Sequence, residues 1–171
     1  MIESELKIVC DSGPIIHLDE LNCLHLLKDF QEILIPDTVS KEIKQYRSIR
    51  LKNSDLPFVL SAGTIPNNST LMTLCNIFSL DVGEIEALAI MEKNPQAIFL
   101  TDDASARMVA EQMGFEVHGT IGILVRSIRR NQTEPEEALR VLQGIPSQST
   151  LYIKTSLLDE IILKIKKEYN L

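Results

Sequence analysis

The chain has 171 residues and a formal net charge of −7, with 44% hydrophobic and 24% charged residues, which excludes an intrinsically disordered chain and predicts one domain. Its longest apolar stretches, such as Ile121–Val125 and Ile161–Leu163, fall far short of the ~18 residues a membrane span needs. The acidic balance argues against wrapping nucleic acid by bulk charge, and no Trp with only three Tyr and five Phe argues against a stacking platform for single-stranded bases.

The acidic start Met1-Ile2-Glu3-Ser4-Glu5 has no apolar signal core, so a cytoplasmic protein is expected. Cys10, Cys23 and Cys75 are odd in number and widely spaced, which speaks against disulfides and zinc.

Lys7–Cys10 reads as a short apolar strand, and Ser12-Gly13-Pro14 then suits a helix start, because Pro is tolerated where no intrahelical N–H partner is needed. Short helices are expected to about Leu21 and over Leu24–Phe30, then a strand at Glu32–Ile35 stopped by Pro36. Asp37 or Thr38 caps a helix whose apolar stripe is Val39, Ile43 and Tyr46. Leu56 to Asn68, with two Pro, a Gly and two Asn, reads as loop with a short strand at Phe58–Leu60.

Helices follow at Leu71–Phe78 and Val82–Lys93, broken by Asn94-Pro95, then a buried strand at Ala97–Leu100. A helix over Asp103–Met113 ends at Gly114, a strand covers Phe115–Val117, and Thr120 begins a helix to about Arg130. Helices near Pro135–Gln143 and Leu157–Tyr169 close the chain, with a strand around Leu151–Ile153 between them. Short apolar strands alternating with helices predict an α/β fold with a parallel sheet covered on both faces.

In such a sheet the ligand crevice lies beyond the carboxyl ends of the strands. Asp11 follows the first strand, Pro36-Asp37 and Glu42 follow the second, and Thr101-Asp102-Asp103 follow the third; Glu84 opens the helix leading into that third strand. Gathering carboxylates is costly unless a cation neutralises them or some hold protons. Oxygen ligands without His or Cys select Mg²⁺ or Mn²⁺, and Mg²⁺ commonly completes its shell with water and phosphate oxygens.

Each acid also has a structural reading. Asp11 can cap a helix, Glu42 can pair with Lys41 or Lys44, and Asp81 and Glu84 fit a capping box. Asp102 or Asp103 must cap the helix that follows them, leaving one of the two free for a metal, and Asp103 can also pair with Arg107. Glu86 lies roughly opposite Glu84 on its helix and reads as a supporting residue. Gly119-Thr120-Ile121-Gly122 reads as a packing turn, and His17, His25 and His118 as structural. Lys41, Lys44, Arg47, Arg50 and Lys52 form a local basic strip, either a solvated face or a rail for a phosphate backbone. Arg126, Arg129 and Arg130 form a second, smaller group.

The segments Ile8-Val9-Cys10-Asp11-Ser12-Gly13-Pro14, Ile35-Pro36-Asp37-Thr38-Val39 with Glu42, Leu80-Asp81-Val82-Gly83-Glu84-Ile85-Glu86-Ala87, Leu100-Thr101-Asp102-Asp103-Ala104-Ser105-Ala106-Arg107 and Val117-His118-Gly119-Thr120-Ile121-Gly122-Ile123-Leu124 together resemble the PIN-domain family, specifically its VapC-like prokaryotic toxins. The resemblance covers about Lys7 to Arg130 and, more loosely, the C-terminal helix. It implies a three-layer α/β/α sandwich, here one PIN-like domain over 1–171 with a core of about 7–130 and a helical extension over about 131–171. It further implies a Mg²⁺- or Mn²⁺-dependent ribonuclease acting on single-stranded RNA.

Carried over, Asp11, Glu42, Glu84 and Asp103 are the catalytic acids, with Asp11, Asp103, Asp102 and Glu84 as metal ligands. Ser12, Thr101 and Glu86 support them, and Lys41, Lys44, Arg47 and Arg107 contact nucleic acid. A homodimer and an antitoxin protein encoded beside the gene are implied partners. Glu84 stands where many members have Asp, and the long 57–80 segment departs from the pattern. A catalytically silent PIN-like module that binds RNA or a protein partner is the alternative.

Overall fold

The inner strands are apolar on both sides and so must be covered from two directions. The computed structural model describes residues 6–46 and 55–171. Strands β1 (Lys7–Cys10), β2 (Glu32–Pro36), β3 (Phe58–Ser61), β4 (Ile98–Leu100) and β5 (Glu116–His118) form a parallel sheet in the order β3-β2-β1-β4-β5.

Alternate strand residues feed two cores. Ile8, Cys10, Ile33, Ile35, Ile98 and Leu100 point to one side, where α1 (Ser12–Glu20), α2 (Asp37–Tyr46), α6 (Thr120–Arg129), α7 (Pro135–Gln148) and α8 (Thr155–Tyr169) pack. Val9, Leu34 and Phe99 point to the other, under α3 (Ser69–Ile77), α4 (Val82–Lys93) and α5 (Ala104–Gln112). The result is the expected three-layer α/β/α sandwich with a central parallel sheet. A 3₁₀ segment, Leu24–Asp29, joins α1 to β2. Among the described residues, no helix is long and apolar enough to cross a membrane. Cys10, Cys23 and Cys75 are free and buried.

Three local expectations need correction. Leu151–Ile153 is no strand: its in-out-in alternation is present, but Ser149 Oγ takes the N–H of Leu151 and no neighbouring strand pairs with it. Tyr46 does not join the stripe of Val39 and Ile43; at the last turn of α2 it is 75% exposed. Helix α7 runs past Gln143 and through Pro146, because Ile145 and Leu142 are drawn into the core and hold that turn in place. The long segment before α3 lies along α4. There Glu92 accepts the N–H groups of Asn67 and Asn68 at 2.8 and 2.7 Å, and a Cβ on Gly63 would sit 2.1 Å from Glu86 Oε1.

The strand order fixes where a ligand can go. From β1 the chain moves outward through β2 to β3, then returns to the other side of β1 as β4. The connections diverge between β1 and β4, so the crevice opens beyond the carboxyl ends of those two strands.

Candidate active site

Asp11 follows β1 and Thr101-Asp102-Asp103 follow β4, which places them at that switch point. Asp11, Asp81, Glu84, Asp102 and Asp103 line one open pocket of about 380 Å³, together with Ser12 and His17. Asp11 and Glu84 form its buried part, 8% and 9% exposed, while Asp81 and Asp103 are exposed at its mouth.

Three of these acids begin helices. Asp11 is the N-cap of α1 and accepts the Ser12 N–H at 2.7 Å. Asp81 is the N-cap of α4 in a full capping box, with Glu84 N–H to Asp81 Oδ1 and Asp81 N–H to Glu84 Oε2, both 2.9 Å. Asp103 is the N-cap of α5, its Oδ1 accepting from Ser105 and Ala106 N–H at 2.8 Å. Helix N-termini carry partial positive charge, so three of them aimed at one place soften the repulsion among the acids. Asp11, Asp81 and Asp103 are therefore helix caps that also line the pocket. Sequence reasoning read Asp81 only as a cap; its place at the mouth depends on how α4 docks against β1 and β2.

The softening is incomplete. Burial pushes the Asp11 carboxyl up to about 6, with Asp81 and Glu42 adding repulsion, despite bonds from the Ser12 N–H and the Thr101 hydroxyl. Burial likewise pushes Glu84 up to about 7, reinforced by Asp81, Asp103 and Asp11, despite the bond from the Asp81 N–H. Glu42 is raised by burial and by Asp81 and Glu86, while the Ser12 hydroxyl bonds to it and lowers it. Thr101 bridges the two strand ends: its hydroxyl donates to Asp11 Oδ2 at 3.2 Å and accepts the Asp103 N–H at 3.1 Å.

Asp102 is committed elsewhere. It accepts the Thr120 N–H and hydroxyl at 2.8 and 2.6 Å, and its Oδ2 lies 2.7 Å from His17 Nδ1. A Cβ on Gly119 would fall 2.5 Å from Asp102 Oδ1, so glycine there permits the approach. The N-terminus of α6 is thus filled by the chain's own carboxylate, which agrees with a packing turn at Gly119–Gly122. Asp102→Ala would strand the buried Thr120 donors and is expected to cost about 2–4 kcal/mol in urea denaturation; a loss under about 0.5 kcal/mol would show that this clasp does not hold β4 to α6.

Arg107 does not pair with Asp103. Its guanidinium donates to the Thr101 and Val117 carbonyls at 3.2 and 3.5 Å and lies 3.7 Å from Glu111. Lys41 and Lys44 are exposed on α2, beside half-buried Glu42. Arg47, Arg50 and Lys52 lie outside the described residues. Of the second basic group, Arg126 and Arg130 pair with Asp29, and Arg126 also lies over the Phe30 ring. Glu86 is half-buried on α4, and its Oε2 is buried without a hydrogen-bond partner.

The donor set suits a hard divalent cation. It is all oxygen, and its two buried members resist ionising together. Among the described residues, no three His, Cys, Asp or Glu side chains are already drawn into a ready coordination shell. Mg²⁺ needs only one or two carboxylates, with water supplying the remainder.

A family model described as DUF3368, PIN domain, matches residues 7–167. No curated protein matches the chain. That match runs from β1 into α8, over the same sheet whose switch point gathers the acids; the chain belongs to the PIN-domain family, a fold of nuclease type.

Proposed function

We propose that the chain is a Mg²⁺- or Mn²⁺-dependent endoribonuclease that cleaves single-stranded RNA, of the VapC-like toxin type. The observation that carries this reading is the pair of buried, mutually repelling carboxylates, Asp11 and Glu84, in one open pocket with Asp81 and Asp103. Asp11, Glu84 and Asp103 would hold the ion, with Asp102 orienting the loop behind them through Thr120 and His17. Once bound, the ion would let these acids ionise together and would stabilise charge developing on a phosphodiester.

The chain's own residues supply the remaining roles. Thr101 fixes the distance between Asp11 and Asp103 through its two hydrogen bonds. Glu42 reaches the same edge from α2, and the Ser12 hydroxyl orients its carboxylate, which can accept a proton from an attacking water. Lys41 and Lys44 would follow the RNA backbone, and Arg107 would hold the β4 and β5 ends as well as approach RNA. A homodimer and a neighbouring antitoxin protein complete the proposal, in a cytoplasmic setting.

The test is cleavage of an end-labelled single-stranded RNA by the purified full chain, with Mn²⁺, with Mg²⁺ and with EDTA. Internal cuts that need the cation and spare a duplex of the same sequence are expected. RNA that is bound but uncut under every condition would establish the silent binding module instead.

A further inference from the structure

One wall of the acidic pocket does not come from the strand ends. Leu151 and Tyr152, in the connection between α7 and α8, line it alongside Asp11 and Asp103. That connection is pinned from α1: Glu20 accepts the Thr150 N–H at 2.7 Å, the Ser149 hydroxyl at 2.8 Å and the Thr150 hydroxyl at 3.0 Å. Leu151 and Ile153 turn inward and pack against the core, so Tyr152 between them must turn outward. It is 85% exposed, more than any other large apolar side chain among the described residues.

An aromatic ring presented on an anchored backbone loses little freedom when it stacks, and every base offers a face to stack on. Few aromatics and no Trp argue against a stacking platform of several rings; Tyr152 offers one ring at one place.

We propose that Tyr152 stacks on the nucleobase next to the phosphodiester held at the acidic pocket, and so sets the register of a single-stranded RNA. The proposal rests on the ribonuclease reading above. It makes Tyr152 a positioning residue, and it gives a reason for single-strand preference, since paired bases keep their faces covered within the duplex.

The test uses the full chain, Tyr152→Ala and Tyr152→Phe. The probes are a short single-stranded RNA with one cleavage site and the same RNA lacking the base beside the cut bond. For Tyr152→Ala, Kd and KM on the intact RNA are expected to rise about tenfold with kcat changing far less. Tyr152→Phe should match the parent, and the abasic RNA should bind parent and Tyr152→Ala alike. Equal affinity of parent and Tyr152→Ala for the intact RNA would overturn the proposal, as would Tyr152→Phe behaving like Tyr152→Ala. If the parent binds RNA without cutting it, the ribonuclease reading fails, and the Kd comparison still decides for or against stacking.

Discussion

Asp11→Asn is expected to lower RNA cleavage by at least about a hundredfold and, without added cation at neutral pH, to raise the stability of the fold. Asparagine keeps the size of the side chain, and its amide oxygen can still accept the Ser12 N–H, so the start of α1 survives. The charge is lost, and with it both the proposed cation ligand and a source of repulsion. A carboxyl raised from 3.8 to about 6 by burial, and further by Asp81 and Glu42, destabilises the folded state once ionised. Removing that charge should gain on the order of 1–3 kcal/mol. Initial cleavage rates and urea midpoints on the same preparations measure both effects. Cleavage at the parental rate would remove Asp11 from the site. Loss of activity together with loss of fold would make it a structural residue.

The second large effect concerns the cation-free protein as pH rises. Asp11 and Glu84 have folded-state values of about 6 and about 7, above their ordinary values of 3.8 and 4.5, with burial as the main cause. Below about pH 3 both are protonated whether the chain is folded or not, and they contribute no slope. Between there and about pH 7 the folded chain holds more protons than the unfolded one, so stability falls as pH rises. Glu20 and Asp29 run the opposite way. Despite burial, their hydrogen bonds and ion pairs hold them below the ordinary range, so they lose stability only at more acidic pH.

Cation-free stability is therefore expected to be higher at pH 5 than at pH 7.5 by roughly 3 kcal/mol. Mn²⁺ at a hundred times its Kd should return about 2.7 kcal/mol at pH 7.5 and much less at pH 5, where protons compete for the same oxygens. Unfolding curves with EDTA and with Mn²⁺ at the two pH values check this. Stability that rises from pH 5 to 7.5, or equal Mn²⁺ stabilisation at both, would contradict the picture.

The starts of helices were the most legible feature of the sequence, because their signals are local. The Asp81–Glu84 box, Asp103 and Pro135 each mark a helix where the structure has one. The acids at the strand ends were legible for a related reason, since short apolar strands end abruptly at polar residues. What depended on distant partners was not legible. Leu151–Ile153 alternates as a strand does, yet the neighbouring Thr150 N–H is claimed by Glu20 from the far end of α1. Tyr46 keeps core spacing with Ile43, but burial is decided by what lies opposite the last turn. Asp102 carried no sign that Thr120 and His17 would claim its oxygens, and Tyr152 carried none that it would reach the pocket.

That Asp11, Asp81 and Asp103 are helix N-caps as well as pocket acids governs how inert forms of the protein should be made. Alanine at such a position would sacrifice about 1 kcal/mol of folding along with the charge, whereas asparagine keeps nearly all of the cap. Amide replacements are therefore the route to well-folded bait with which the proposed RNA substrate and antitoxin can be sought.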